Sequence, residues 1–334
     1  MVECQKQKKR DIGVILCWLQ ISTFLKIKNI MNVLSVFDGL SCGQIALNRV
    51  GIKYDKYFAS EVDKHAIKVT QHNYPNTIQL GDVTKVKGSD LPKIDLLFGG
   101  SPCQGFSFAG KQLNFDDPRS KLFFEFVRLK NELQPKYFLL ENVVMKQEFQ
   151  DVITEYLGVE PIKINSNLVS AQTRERLYWT NIPNINQPED FGITLNDILE
   201  DIGVNGEVFD RTKLNKATIL GRRLNEQGKR DDYNKNIPIS QCLEVRASNR
   251  DKSNCITTVA KDNVLTTMPI GRHVDAFKKK LPFRYYTIKE YCRLQTVPDD
   301  YFDGVASENQ IRKMIGNGWT VDVIAHIFKE IKEL

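Results

Sequence analysis

From Asn32 onward, short apolar runs alternate with helix-like stretches, and this order narrows the folds open to the chain more than any other feature. "NVLSVF" is rich in strand formers, "DGLSCG" is turn chemistry, and "GQIALNRVG" reads as a short helix closed by Gly51. "KYFASE" predicts a second strand, and "DKHAIKVTQHNY" a helix begun at Asp63 and stopped before Pro75. "IDLLFGG" and "KYFLLENV" predict two further buried strands, separated by the helical "SKLFFEFVRLKNEL" with Ser120 as its cap. Apolar strands joined by helices call for an α/β fold with a mostly parallel sheet covered on both faces.

Regularity fails after about residue 184. Residues 185–283 are rich in Asn, Asp and Lys, with short threonine and valine runs such as "NCITTVAKDNVLTT". This region reads as an inserted smaller domain, irregular and partly β. Helical pattern resumes at "TIKEYCRLQ" and "VDVIAHIFKEIKEL". The expected organisation is an N-terminal extension (1–30), a main domain (31–184 and 284–334) and the insert (185–283). A length of 334 residues accommodates all three.

In the extension, "KQKKRDIGVILCWLQISTFLKI" has a basic start and an apolar stretch. Asp11 interrupts it, the run is short for a membrane span, and no A-x-A cleavage pattern follows. No export is expected, and with Met31 directly before the first strand the extension reads as dispensable or as an upstream misassigned start. Seven cysteines with no C-x-x-C pair, and only four histidines, argue against zinc and disulfides and for a reducing, cytoplasmic compartment.

Net charge is +6, but residues 1–30 hold six Lys/Arg against two Asp/Glu, so the remainder is nearly neutral. Local distribution is more informative. Residues 185–210 carry seven acidic and no basic side chains, whereas 211–283 carry sixteen basic and seven acidic. Such asymmetry fits a surface that meets phosphate, and equally a solvated mixed-charge face.

Chemistry-bearing residues gather where the strands end. Gly39 and Gly43 stand between the first strand and first helix, in a pattern that is not G-x-G-x-x-G but still lets a ligand approach the backbone. Glu61 ends the second strand, where an acid can accept both hydroxyls of a ribose, and Asp82 in "GDVT" ends the third. Together these acids outline an adenosine site; singly, each is as well a helix cap. In "GGSPCQGFSFAG" a thiol, Cys103, sits in a bent, glycine-rich loop. It is a candidate nucleophile that needs neighbours to raise its thiolate fraction, or else a buried structural thiol. Glu141 and Asn142 emerge at the same sheet edge, and Arg174 and Arg176 alternate on an extended segment. A carboxyl beside an apolar wall tends to keep its proton, and arginine supplies fixed donors for a carbonyl oxygen. The alternative for these two types is a surface ion pair.

"SVFDGLSCG", "GGSPCQGFS", "ENV", "QTRERLYW", "RLQTVPDDY" and "IGNGWTVDVI" occur in that order. Together they resemble the cytosine-5 DNA methyltransferases across residues 32–332 apart from the insert. "GNGW" replaces the usual GNAVP-like run, and with "ASEVD" and "ENVVMK" it resembles the animal de novo DNA methyltransferase branch, without that branch's chromatin-reading domains. The architecture is instead of a minimal bacterial or phage type, and the insert is larger than in the animal branch, so no CG preference carries over.

The resemblance implies an S-adenosylmethionine-dependent, Rossmann-like methyltransferase fold acting on a cytosine turned out of double-stranded DNA. Cys103 would attack C6, Glu141 would hold or protonate N3 and contact the exocyclic amine, and Arg176 would bind O2 with Arg174 in support. Pro102 would fix the loop and Asn142 brace it. The cofactor would be held by Phe37, Asp38, Gly39, Leu40, Ser41, Cys42, Glu61, Asp82, Val83, Thr84, Asn317, Gly318 and Trp319, with Phe37 or Trp319 over the adenine or sulfonium. The insert falls where family members carry a target-recognition domain. Candidate DNA contacts are Gln104 and Ser107 in the loop, and Arg222, Arg223, Arg246 and Arg250 in "GRRLNEQGKR" and "RASNRDKSN". A role in protecting DNA from a cognate restriction endonuclease, a functional rather than physical partner, is expected. Two other readings stand beside this: a tRNA cytosine-5 methyltransferase, whose typical Cys-Phe-Thr signature is absent, and a catalytically silent DNA-binding regulator, against which the intact Cys103, Glu141 and Arg176 argue.

Overall fold

A computed structural model describes residues 30–101, 118–202, 214–245 and 251–331. Seven strands form one sheet: β1 (Met31–Val36), β2 (Tyr54–Ser60), β3 (Ile78–Gln79), β4 (Leu96–Gly100), β5 (Tyr137–Val143), β6 (Pro161–Asn165) and β7 (Glu175–Thr180). Their order is β3-β2-β1-β4-β5-β7-β6, with β3 to β5 parallel and β7 antiparallel to both its neighbours. Successive residues of the central strands feed opposite cores. Val33, Phe98 and Leu139 enter one apolar cluster, while Leu34, Leu97 and Leu140 enter the other. Burial on both faces explains why these strands are uniformly apolar instead of alternating.

Helices α1 (Cys42–Arg49) and α2 (Lys64–Asn73) cover the first face with elements from the C-terminal part. Helices α3 (Pro118–Leu133) and α4 (Gln147–Leu157) cover the second. Asp63 caps α2 as expected, its carboxylate accepting from the His65 amide at 2.9 Å. Ser120 is not the cap of α3. The helix already runs from Pro118, and proline suits a first turn because it has no amide hydrogen to leave unpaired.

The insert is more regular than its sequence suggested. After the short helix α5 (Leu195–Ile198), five antiparallel strands form a second sheet: β8 (Asn215–Arg222), β9 (Ser240–Val245), β10 (Val264–Thr266), β11 (Gly271–His273) and β12 (Phe283–Tyr285). Their order is β11-β9-β8-β10-β12. Ala217, Ile219, Leu243 and Val245 alternate into a small core of their own. The chain then returns through α6 (Ile288–Leu294), α7 (Glu308–Asn317) and α8 (Val321–Phe328). A capping box of Thr287 and Glu290 starts α6, and the Glu290 carboxylate also pairs bidentately with Arg284 of β12 at 2.7 and 2.8 Å. Among the described residues no helix is long and apolar enough to cross a membrane.

Candidate active site

The turn between β1 and α1 is tightly wound. Phe37, Gly39 and Ser41 all have left-handed backbone, at φ of 58°, 58° and 64°. Two of these are not glycine, so the surroundings must hold the strain. They do so by hydrogen bonds: the Gly39 amide donates to Glu61 Oε2 at 2.8 Å, the Asp38 amide to the Ser60 carbonyl at 3.2 Å, and the Tyr301 hydroxyl to the Leu40 carbonyl at 2.7 Å. Glu61 Oε1 also accepts from the amides of Val62 and Asp63. The acid at the end of β2 therefore braces this turn directly.

Asp38 lies beneath the turn. Tyr57 donates to its Oδ1 at 2.7 Å, whereas its buried Oδ2 has no hydrogen-bond partner. Burial pushes its pKa up to about 6, while the nearby hydroxyls of Ser35, Tyr57 and Ser41 pull it down. Burial likewise pushes the Cys42 thiol up to about 12, so this sulfur stays protonated and donates to the Trp319 carbonyl at 3.6 Å. Gly43 belongs to α1, not to the turn before it. A Cβ there would stand 2.3 Å from two ring carbons of Phe98, so its smallness serves the contact between helix and sheet.

The two glycines that end β4 each have a steric reason. A Cβ on Gly99 would lie 2.6 Å from the Val36 carbonyl oxygen. One on Gly100 would lie 2.9 Å from both Glu141 Oε2 and Trp319 Nε1. Beyond them the Ser101 hydroxyl accepts from Asn142 Nδ2 at 3.1 Å, which joins the ends of β4 and β5.

Glu141, on neighbouring β5 and 8 % exposed, forms an ion pair with Arg176, Oε1 to Nε at 3.0 Å, and accepts a hydrogen bond from Trp319 Nε1 on Oε2 at 3.0 Å. Burial opposes the charge of Arg176, yet the nearby Glu141 and Cys255 carry its pKa above that of a free guanidinium. Arg174 is spent differently. Its Nη1 donates to the Ile256 carbonyl and Cys255 sulfur, both at 3.2 Å, and its Nη2 to the Gly318 carbonyl at 2.9 Å. It ties the end of α7 to the strand-poor segment that leads into β10.

These groups line one cavity of about 360 Å³, within the range of small-ligand sites. Of the expected cofactor residues, Phe37, Asp38, Gly39, Leu40, Cys42, Glu61, Asn317, Gly318 and Trp319 form its walls, as do Glu141, Asn142, Arg174 and Arg176. Ser41 lies behind the wall, its hydroxyl accepting from Gln44 at 2.8 Å. Asp82, Val83 and Thr84 stand outside it. β3 ends earlier than expected, at Gln79, and Asp82 caps the short helical turn Val83–Lys85 through the Thr84 amide at 3.0 Å. Pro102, Cys103, Gln104, Ser107, Arg246 and Arg250 lie outside the described residues.

Arg222 and Arg223 were expected on a loop. Arg222 is instead the last residue of β8, its Nε donating to Glu244 Oε1 at 3.0 Å, and Arg223 Nε donates to the Ile237 carbonyl at 3.0 Å. The sequence reading missed Tyr57 and Cys255, whose partners Asp38 and Arg174 are distant in the chain and leave no local signal.

A mostly parallel α/β sheet with a ligand cavity at the β1–α1 turn and a Glu–Arg pair in its lining defines the methyltransferase class of fold. Residues 31–333 match the family described as C-5 cytosine-specific DNA methylase, and the chain belongs to it. The chain is 38 % identical over 161 residues to an orphan methyltransferase, M.SPRI, of Bacillus phage SPR, covering 44 % of this chain and 37 % of that enzyme. It thus spans little more than a third of that relative. It is 29 % identical over 338 residues to the type II methyltransferase M1.ScrFI of Lactococcus lactis subsp. cremoris, covering 97 % and 84 %. The fold is similar to that of a DNMT2 variant from Spodoptera frugiperda, with a TM-score of 0.61 and 20 % identity over 90 % of this chain and 99 % of that one.

Proposed function

We propose that the chain is a DNA (cytosine-5-)-methyltransferase that uses S-adenosylmethionine and acts at a defined sequence, in the manner of a modification enzyme protecting DNA from a restriction endonuclease. The observation that carries this reading is the Glu141–Arg176 pair, fixed at 3.0 Å in the wall of the cavity that also contains Gly39 and Glu61. One half of the cavity suits a nucleoside and the other a pyrimidine edge.

The residues present fit the donor. Asp38 offers a buried oxygen without a partner toward a cationic ligand, and Gly39 leaves its face of the turn free of side chain. Phe37, Asp38, Leu40, Glu61 and the Asn317–Trp319 segment would hold it, with Ser41, Cys42 and the Asp82–Thr84 turn behind or beside them. When bound, S-adenosylmethionine supplies a methyl group on a positively charged sulfur, an electrophile that needs no acid to release it.

The protein's own groups act on the base. Cys103 forms a bond to C6 as its thiolate, which raises electron density at C5, a poor nucleophile in the free ring. Glu141 accepts from the exocyclic amine and holds the proton at N3, while Arg176 donates to O2 and to Glu141 at once. Once C5 carries the methyl group its proton leaves to solvent, the C6–S bond breaks to return the thiolate, and the N3 proton passes back to Glu141, which restores the ring and the enzyme. Arg174 and Asn142 do not touch the base; they hold the walls. The second sheet and its basic loops would follow phosphate and read base edges as a target-recognition domain.

Incubation with labelled S-adenosylmethionine and either duplex DNA or tRNA tests the reading. Label on the DNA is expected, and bisulfite sequencing then gives the context. Label on tRNA alone would replace DNA as substrate, and label on neither would leave the silent regulator.

A further inference from the structure

We infer that Trp319 is a positioning residue for Glu141: its indole N–H fixes the plane of the catalytic carboxylate and joins the donor half of the cavity to the base half. This rests on the methyltransferase reading and adds a role beyond contact with the donor. The terminal torsion of a glutamate is broad, so a carboxylate held by one donor still swings. Glu141 is held at both oxygens, by the ion pair of Arg176 Nε with Oε1 and by the hydrogen bond from Trp319 Nε1 to Oε2, each at 3.0 Å. A cation at one oxygen and a directed N–H at the other set the plane. Indole can only donate, so it adds direction without charge and cannot compete for a proton. The lone pairs left over are those available to a cytosine edge.

Three further features of the structure serve this contact. Gly100 leaves open the space where a Cβ would stand 2.9 Å from both hydrogen-bonded atoms. The Phe98 ring packs against the indole at 5.9 Å between centroids and 58° between planes. The backbone beside it is pinned, with Arg174 and Gln295 both donating to the Gly318 carbonyl at 2.9 Å and the Cys42 thiol donating to the Trp319 carbonyl. A residue that merely covered a ligand would need none of this precision on its Nε1.

Two measurements test it. The chain has three tryptophans, so an amide-correlation spectrum of 15N-labelled protein holds three indole signals. Glu141→Gln is expected to move one of them, the one Trp319→Phe removes. Trp319→Phe, which keeps an aromatic ring, is expected to lower kcat by about 10- to 100-fold, as for loss of one hydrogen bond to a charged group, while the Kd for S-adenosylmethionine stays within about threefold. Three indole signals unmoved by Glu141→Gln would overturn the proposal, whether or not Trp319→Phe folds. So would an unchanged kcat, or a loss of donor affinity as large as the loss of rate. If the unmodified chain methylates nothing, the functional reading fails by itself, because the indole signal still reports the contact.

Discussion

Replacing Gly43 by alanine puts the packing of α1 on the sheet to a sharp test. The added Cβ would meet Cε2 and Cζ of Phe98 at 2.3 Å. Carbon pairs sit comfortably at about 3.5–4.0 Å, so the ring or the helix must retreat by more than about 1 Å. Phe98 is fully buried and hemmed by the rings of Phe328, Trp319 and Tyr57 at centroid distances of 5.3, 5.9 and 6.1 Å. Its ring is rigid, so no flexible end can swing aside. Overpacking of this kind costs about 1–3 kcal/mol, and a contact so short belongs in the upper half. Alanine returns about 1 kcal/mol of helix propensity. The net expectation is a loss of about 1–2 kcal/mol, read as a fall in Tm of several degrees. Phe98→Leu in the same chain should relieve the clash, so the double variant should be more stable than the sum of the two single losses by at least about 1 kcal/mol. A Gly43→Ala protein as stable as the parent, or strict additivity with Phe98→Leu, would refute the steric role of this glycine.

On the function proposed above, Asp38, with its pKa at about 6, should make donor binding pH-dependent: affinity for the cationic donor should fall as pH drops through about 6, and calorimetric titration of Asp38→Asn should show weaker but flatter binding. The same group sets an opposite trend in stability. A raised carboxyl pKa means the folded state holds its proton where the unfolded chain, at 3.8, has lost it, so stability is lost as pH rises from about 4 to about 6. The loss is about 3 kcal/mol on the linkage constant, and Asp38→Asn should lack it in parallel melts. Arg284→Leu strands the fully buried Glu290 carboxylate, whose remaining partners are amides, and should destabilise the fold by about 3–5 kcal/mol in urea melts. Arg176→Lys should leave the melting curve within about 0.5 kcal/mol but reduce methyl transfer at least about 100-fold, since an ammonium cannot reproduce the guanidinium fork, whereas Arg174→Lys should lower stability as well.

The parallel sheet and the Asp63 cap were legible because their causes are local: uniformly apolar strands, and an acid immediately before a helix. α4 went unread although Phe149, Ile153 and Leu157 stand at helical spacing and Gly158 closes the helix with a left-handed φ of 74°. There the signal existed. The second sheet offered less, since β10, β11 and β12 have three residues each, too few to show a period. Their order comes from pairing across long stretches, which no window of sequence contains. The motif residues of the cavity were legible as types, but their partners were not. Trp319 and Glu141 are 178 positions apart, and Arg174 reaches Gly318 across 144.

The two arginines of "QTRERLYW" show how one extended segment can carry two different duties. They are two positions apart, so their side chains leave the same face of the chain. Arg176, inside β7, meets the carboxylate of β5. Arg174, one residue before that strand, is 4 % exposed and faces carbonyl oxygens from α7 and from the segment that enters the second sheet. Its charge is spread over acceptors drawn from both parts of the molecule. Lys252 acts alike nearby, its buried ammonium donating to the carbonyls of Asn167, Ser170 and Ile193. Buried cations on backbone carbonyls are directional, and leaving either side unpaired costs more than the bond itself contributes. Arg174 therefore joins the wall of the cavity to the segment that enters the second sheet.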